Sequence, residues 1–340
     1  MKGRTRTRAP RDSSRRRIGA YIAIGLFLLV DVILVAAALT ANRAGPESVP
    51  AAAASSSPLG SELSTASATP EPTVVAAAVS PVPATRILSA VSSTVAWRAV
   101  TGVCPAPLAE PEVSTDAGVT WTTTDANGPT DITALQSIAP TNGSVARFVG
   151  FAAADCSAQV VRTFVGGDNY ASVAGAADTT WYVDPVDRAA VHGPDGAEAA
   201  PCDAVVALAA GSSADSAAVL CADTRVFATT DAAATWSAPL TVPGALTLTA
   251  TTDGYLALAA GAEAATADAS TCLGLNVIDL SSDPASDTGD LTATTTGCYA
   301  TDEAPAALAG NVAVSAADGT LWLWIGDTTV RSTDAGRTWQ

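Results

Sequence analysis

Ser114-Thr-Asp-Ala-Gly-Val-Thr-Trp121 returns as Thr229-Thr-Asp-Ala-Ala-Ala-Thr-Trp236 and again as Ser332-Thr-Asp-Ala-Gly-Arg-Thr-Trp339. The context repeats as well. Ala217-Ala-Val-Leu-Cys-Ala-Asp-Thr-Arg-Val-Phe-Ala-Thr-Thr-Asp231 aligns, with a one-residue slip, on Gly319-Thr-Leu-Trp-Leu-Trp-Ile-Gly-Asp-Thr-Thr-Val-Arg-Ser-Thr-Asp334. Each copy reads as strand, tight turn, strand, Asp-containing turn, then Thr-Trp opening another strand. The residue types suit that reading. The carboxylates of Asp116, Asp231 and Asp334 can accept backbone N–H groups within their own turns, and Ser114, Thr229 and Ser332 can do so more weakly. Gly118 and Gly336 allow a positive φ, and Trp121, Trp236 and Trp339 offer large apolar faces for packing. The middle copy has Ala233 in the glycine position, so its turn is expected to be distorted.

The pattern S/T-x-D-x-G-x-T-W resembles the Asp-box, or BNR repeat, of β-propellers, a group that includes sialidases, sortilin-type receptors and Ycf48-like photosystem assembly factors. The resemblance implies an all-β propeller; another β-sandwich or barrel is the alternative. The boxes start 115 and 103 residues apart, too far for neighbouring blades of the usual 40–50 residues. One blade with a decayed box is therefore expected in each gap. The candidates are Val165-Gly-Gly-Asp-Asn-Tyr170 with Thr179-Thr-Trp181, and Ser281-Ser-Asp-Pro-Ala-Ser-Asp287. That gives five blades of about 51 residues each, with six as the alternative. In this group the boxes are peripheral and structural, so they imply nothing about catalysis.

Outward from the repeats, residues 86–340 carry short β-type runs and no sustained helical period. Thr94–Val100, Ser144–Val149 and Thr320–Ile325 are such runs, and Asp253-Gly254 and Asp318-Gly319 read as hairpin turns. Residues 42–85 are dominated by Pro, Ala, Ser and Thr and lack aromatic residues. Such a stretch cannot bury enough apolar surface to offset its chain entropy, so a disordered, partly extended stalk is expected.

Residues 18–41 are predicted to be a transmembrane helix. Ile18 to Thr40 is a nearly unbroken apolar run of 23 residues, about 34 Å of helix and enough to cross a bilayer core. Residues 1–17 hold eight of the 17 basic residues, ending in Arg15-Arg16-Arg17. The positive-inside rule then places that tail in the cytoplasm and the rest outside a plasma membrane. A cleaved signal peptide is the rival, with Ala36, Ala37 and Ala38 as a cleavage region and Ser14-Arg15-Arg16 as a faint twin-arginine signature. Asp31, inside the apolar run, is either a contact for another membrane helix or a tolerated carboxyl.

Beyond residue 40 the chain has nine Arg, no Lys and 31 acidic residues. A body so negative excludes phosphate-backbone recognition, hence no nucleic-acid partner. Six cysteines suit an oxidising compartment. They allow 15 pairings, and the sequential one is expected: Cys104 with Cys156, Cys202 with Cys221, Cys272 with Cys298, the last two within single blades. No C-x-x-C spacing supports a zinc or redox site.

Chemistry is sparse. His192 is the single histidine, so a Ser-His-Asp triad would have to use it, yet Val191-His-Gly-Pro-Asp-Gly196 reads as a turn. Asp283, Asp287 and Asp290 with Gly289 could attract calcium, but the spacing fits no loop pattern, and a solvated loop is expected. Sialidases carry three arginines for the substrate carboxylate, a Tyr/Glu nucleophile pair and an early Arg-Ile-Pro. The nearest match here, Arg86-Ile87-Leu88, lacks the proline. The expectation is a non-enzymatic, membrane-anchored platform for a protein or glycan partner, with no cofactor, metal or catalytic residue. The alternatives are an assembly factor for a membrane complex, as the Ycf48-like resemblance implies, and a glycoside hydrolase.

Overall fold

In the computed structural model, residues 79–260, 272–282 and 289–340 are described. The basic tail, the apolar run with Asp31, most of the stalk, and Asp283 and Asp287 lie outside them. Among the described residues no helix is long and apolar enough to cross a membrane.

Six antiparallel sheets follow one another along the chain. Sheet one comprises β1 (Arg86–Ala90), β2 (Ala96–Val100), β3 (Glu112–Ser114) and β4 (Thr122–Thr123); sheet two comprises β5 (Ile132–Pro140), β6 (Ala146–Ala152), β7 (Ala158–Thr163) and β8 (Ala171–Ser172). Sheet three has three short strands, β9 (Tyr182–Val183), β10 (Ala190–Gly193) and β11 (Gly196–Ala199). Sheet four holds β12 (Val205–Ala210), β13 (Ala217–Cys221), β14 (Arg225–Thr229) and β15 (Leu240–Thr241); sheet five holds β16 (Ala245–Ala250), β17 (Gly254–Ala260), β18 (Gly274–Ser282) and β19 (Leu291–Ala300). Sheet six is β20 (Val312–Ala317), β21 (Thr320–Ile325) and β22 (Thr328–Ser332). The first strands of sheets one and two, and of sheets four, five and six, pack side by side; β9 of sheet three bridges sheets two and four, and β20 returns to β1, closing a ring. The fold is a six-bladed β-propeller. The count of five fails because blades differ in size: two blades, not one, separate the first two octapeptides, and sheet three fits within eighteen residues, Tyr182–Ala199.

The three octapeptides adopt one geometry after the third strands of blades one, four and six. In the first, Gly118 N–H donates to Ser114 Oγ at 2.9 Å, and Thr120 donates to Asp116 through its N–H at 2.9 Å and its hydroxyl at 2.6 Å. The second repeats these bonds at Thr229, Asp231, Ala233 and Thr235, and the third at Ser332, Asp334, Gly336 and Thr338. The middle turn is not distorted: Ala233 adopts φ 72°, against 81° at Gly118 and 85° at Gly336. An L-residue there costs about 1–2 kcal/mol. Ala233→Gly should therefore raise stability by about 0.5–1 kcal/mol, since the relieved strain is partly offset by backbone entropy. Chemical denaturation checks this, and a loss of stability would mean that the buried Cβ of Ala233 outweighs its strain.

Blade two holds a decayed copy, Thr163-Phe-Val-Gly-Gly-Asp-Asn-Tyr170. Thr163 Oγ1 still accepts from Val165 and Gly167 N–H, but Val165 stands where the others have Asp. Trp181 belongs elsewhere, at the entry to blade three. Ser281 and Ser282 end β18 in blade five, and the rest of that candidate lies outside the described residues.

The tryptophans concentrate at seams between blades. Trp97, Trp181 and Trp322 donate to carbonyls of the first hairpin of the next blade: Asn142 O at 3.1 Å, Ala214 O at 2.7 Å and Ser92 O at 2.9 Å. Trp236 reaches back to Ala199 O and Trp339 to Cys298 O, each in the preceding blade. Trp121 meets Trp322 edge-on across the closing seam, where Arg98 lies 4.0 Å from the Trp121 ring and 4.6 Å from that of Trp324.

The disulfides pair sequentially. Cys272–Cys298 stays within blade five, joining the entry of its third strand to its fourth. Cys202–Cys221 corrects the expectation, because it ties the end of blade three to β13 of blade four. Residues 79–85, stalk-like in composition, pack on blade six: Val79 joins its apolar cluster, and Thr85 N–H donates to Gly310 O at 2.7 Å.

Candidate functional site

The first strands enclose a central cavity of about 610 Å³, within the range of small-ligand pockets. In a chain of net charge −16, the charged residues lining it are Arg86, Arg147 and Arg188, and no Asp or Glu joins them among the described residues. Ser89, Gln136, Thr180, Thr247 and Ser315 supply polar groups.

The cavity is not symmetric. In blades four, five and six the lining sheet residues come from first strands alone. At blade two it extends outward past β5 to Val149 and Phe151 of β6 and Val160 of β7. The cause is blade three. Trp181, just before β9, makes the neighbour-hairpin bond that Trp97 and Trp322 make from second strands. β9 is therefore equivalent to a second strand, and the innermost position of blade three carries no strand. The segment before β9 forms only a single 3-10 turn, Ala177–Thr179. Gln136 partly compensates: its amide donates to Val183 O at 3.0 Å and accepts from Val183 N–H at 2.6 Å, as a neighbouring strand's backbone would. At this gap the cavity reaches Val149, Phe151 and Val160, which are otherwise buried with Ala134 and Tyr182.

The arginines differ in engagement. Arg86, at the start of β1, donates to Gly326 O at 2.5 Å and lies 4.6 Å from the Trp324 ring centroid; burial pulls its pKa down, with Asp327 opposing. Arg147 is exposed towards the opposite end of the cavity, paired with Ala139 of β5. Arg188 lies in the β9–β10 loop. It is half-buried, its Nε donates to Val205 O at 2.6 Å, and burial lowers its pKa. The ion pairs among the described residues are Arg98–Glu112, His192–Asp184 and Arg225–Asp223, and none involves Arg188.

The other residues singled out in the sequence lie away from this cavity. None of the three octapeptides contributes to its lining. His192 sits in β10 rather than in a turn, stacked on Tyr182 with centroids 4.2 Å apart and 3.3 Å from Asp184. Asp290 accepts the Ala238 N–H at 2.8 Å, a contact between blades five and four. Among the described residues no group of three His, Cys, Asp or Glu side chains could hold a metal ion. Arg147, Arg188 and Gln136 had no signal in the sequence, since an isolated polar residue in a β-run, as Arg147 and Gln136 are, or in a loop, as Arg188 is, reads as surface.

The octapeptide carboxylates give a pH dependence. Bonds from the Thr338 N–H and hydroxyl hold Asp334 down from the usual 3.8 to about 2, and Asp116 and Asp231 are lowered by their own threonines. A carboxyl with a depressed folded pKa contributes stability above its unfolded value and loses it as pH falls through the folded one. The thermal midpoint should therefore decline between about pH 4 and pH 2. Asp334→Asn should flatten part of that slope in a melting series across those pH values.

No family model matches the chain, and no curated protein matches it. Solved structures are similar at low identity. A structure of YCF48 bound to a D1 peptide is 16% identical, covers 77% of this chain and 82% of its own, and superposes with a TM-score of 0.36. YCF48 from Cyanidioschyzon merolae is 13% identical over 76% and 86%, with a TM-score of 0.26. The GH74 xyloglucanase from Xanthomonas campestris is 10% identical over 74% of this chain and 47% of its own, with a TM-score of 0.27. Likeness at this level assigns neither a partner nor an activity.

Proposed function

We propose that this chain is a non-enzymatic binding module, held outside the plasma membrane by residues 18–41 and spaced from it by the stalk, with the central cavity recognising an anionic group of a protein or glycan partner. The carrying observation is the cavity lining, which among the described residues has three arginines and no carboxylate. Glycoside hydrolysis ordinarily needs a pair of carboxyl groups flanking the bond, and the lining offers none among the described residues. A histidine-dependent triad is disfavoured too, because His192 does not line the cavity and is engaged with Tyr182 and Asp184. The test is incubation of the full chain with a panel of envelope glycans. Retention without bond cleavage is expected; release of reducing sugar that one carboxylate substitution abolishes would sink the reading.

The assembly-factor reading rests on a separate feature, Asp31 within the apolar run. It requires a membrane-helix partner whose cross-linking to the full chain is lost in Asp31→Leu.

A further inference from the structure

We propose that the central cavity takes a small hydrophobic anion, with Arg188 holding its carboxylate or phosphate head and the apolar side chains of the surrounding first strands receiving its body. The inference rests on the binding reading above and names the ligand class for the same cavity.

Arg188 combines three properties that its neighbours do not share. It is half-buried at the cavity, its Nε is fixed on Val205 O, and no carboxylate among the described residues forms an ion pair with it. Fixing one nitrogen on a backbone carbonyl orients the guanidinium while leaving its terminal N–H groups for a ligand, the fork geometry that suits carboxylate and phosphate oxygens. Arg86 is already engaged by Gly326 and Trp324, and Arg147 is exposed at the far end. One available half-buried cation fits a single anionic head better than a polyanion.

The body follows from the rest of the lining. Ile87, Leu88, Leu208, Leu248 and Val314, on four first strands, give the cavity apolar walls. Apolar walls in one cavity with an oriented guanidinium select a ligand that is apolar at one end and charged at the other.

The test is titration calorimetry of the full chain in lipid nanodiscs, with empty nanodiscs as the blank. The probes are 4-phenylbutyrate, 4-phenylbutyl phosphate and the neutral 4-phenylbutan-1-ol. At least one anion should bind about tenfold or more tightly than the alcohol, the size of effect a hydrogen bond to a charged group gives, and the tighter of the two identifies the head. Arg188→Gln should erase that preference, whereas Arg337→Gln, exposed and outside the cavity, should retain it. Arg188→Lys, which keeps the charge without the fork, should lose affinity several-fold but keep the preference, and it serves if Arg188→Gln does not fold. Equal binding of acid and alcohol, no binding of either anion, or a preference that survives loss of the Arg188 charge overturns the proposal. Any of these leaves the binding reading standing, while glycan cleavage would remove that reading whatever the probes do.

Discussion

Trp322→Ala is expected to cost the folded ring about 3–5 kcal/mol, the range for deleting a fully buried large aromatic side chain. Trp322 has no exposed surface and sits in the cluster that joins blade six to blade one, with Leu88, Ala96, Ala313 and Trp324. Its indole N–H holds Ser92 O, its ring meets Trp121 edge-on, and Arg331 lies 5.4 Å from the ring centroid. This seam joins the two ends of the six-sheet array. Arg98 links both sides through Glu112 at 2.6 Å and Thr329 at 2.9 Å, and Ala90 N–H donates to Ser315 Oγ at 2.9 Å. Denaturation followed by far-UV circular dichroism measures the loss. Trp322→Phe separates its parts: it keeps most of the apolar contact and gives up the bond to Ser92, so it should cost about 1–2 kcal/mol. A loss below about 1 kcal/mol for Trp322→Ala would mean that closure depends on the backbone contacts alone.

The repeat made the propeller legible because its residues act locally. Ser114, Asp116 and Thr120 bond within one turn, so their spacing survives wherever that turn is built. Blade number was harder to read, since it depends on how much chain lies between turns. Blade three has dropped its innermost strand and blade five has strands of nine and ten residues, so an average spacing misleads. The cavity was not legible at all. Arg86, Arg147 and Arg188 lie in three different blades, and only the packing of blades around one axis brings them to one cavity. Gln136 acts as a surrogate backbone for Val183, 47 residues away, a role without periodicity or motif. Ala233 shows the reverse limit: its residue type suggested distortion, but the surrounding hydrogen bonds impose the glycine conformation on it.

Removing the Cys104–Cys156 bridge by a double Ser substitution should cost about 4 kcal/mol, more than the about 3 kcal/mol expected for Cys202–Cys221. The difference comes from loop length. The first bridge has a sequence separation of 52 and the second of 19, and in the chain-entropy account a longer closed loop restricts the unfolded chain more. The longer bridge also has a packing role. It joins the β2–β3 loop of blade one to the β6–β7 hairpin of blade two, and both cysteines pack against the cluster of Ala134, Val149, Phe151, Val160 and Tyr182. Val149, Phe151 and Val160 of that cluster also line the cavity at blade two. The double substitution should therefore lower the affinity of a hydrophobic anion as well as the denaturation midpoint, while removal of Cys272–Cys298, confined to blade five, should lower the midpoint alone. Denaturant titration and calorimetry on the same three variants test both halves. Equal losses of affinity on removing any of the bridges would show that binding responds to global stability rather than to the part of the lining that Cys104 and Cys156 support.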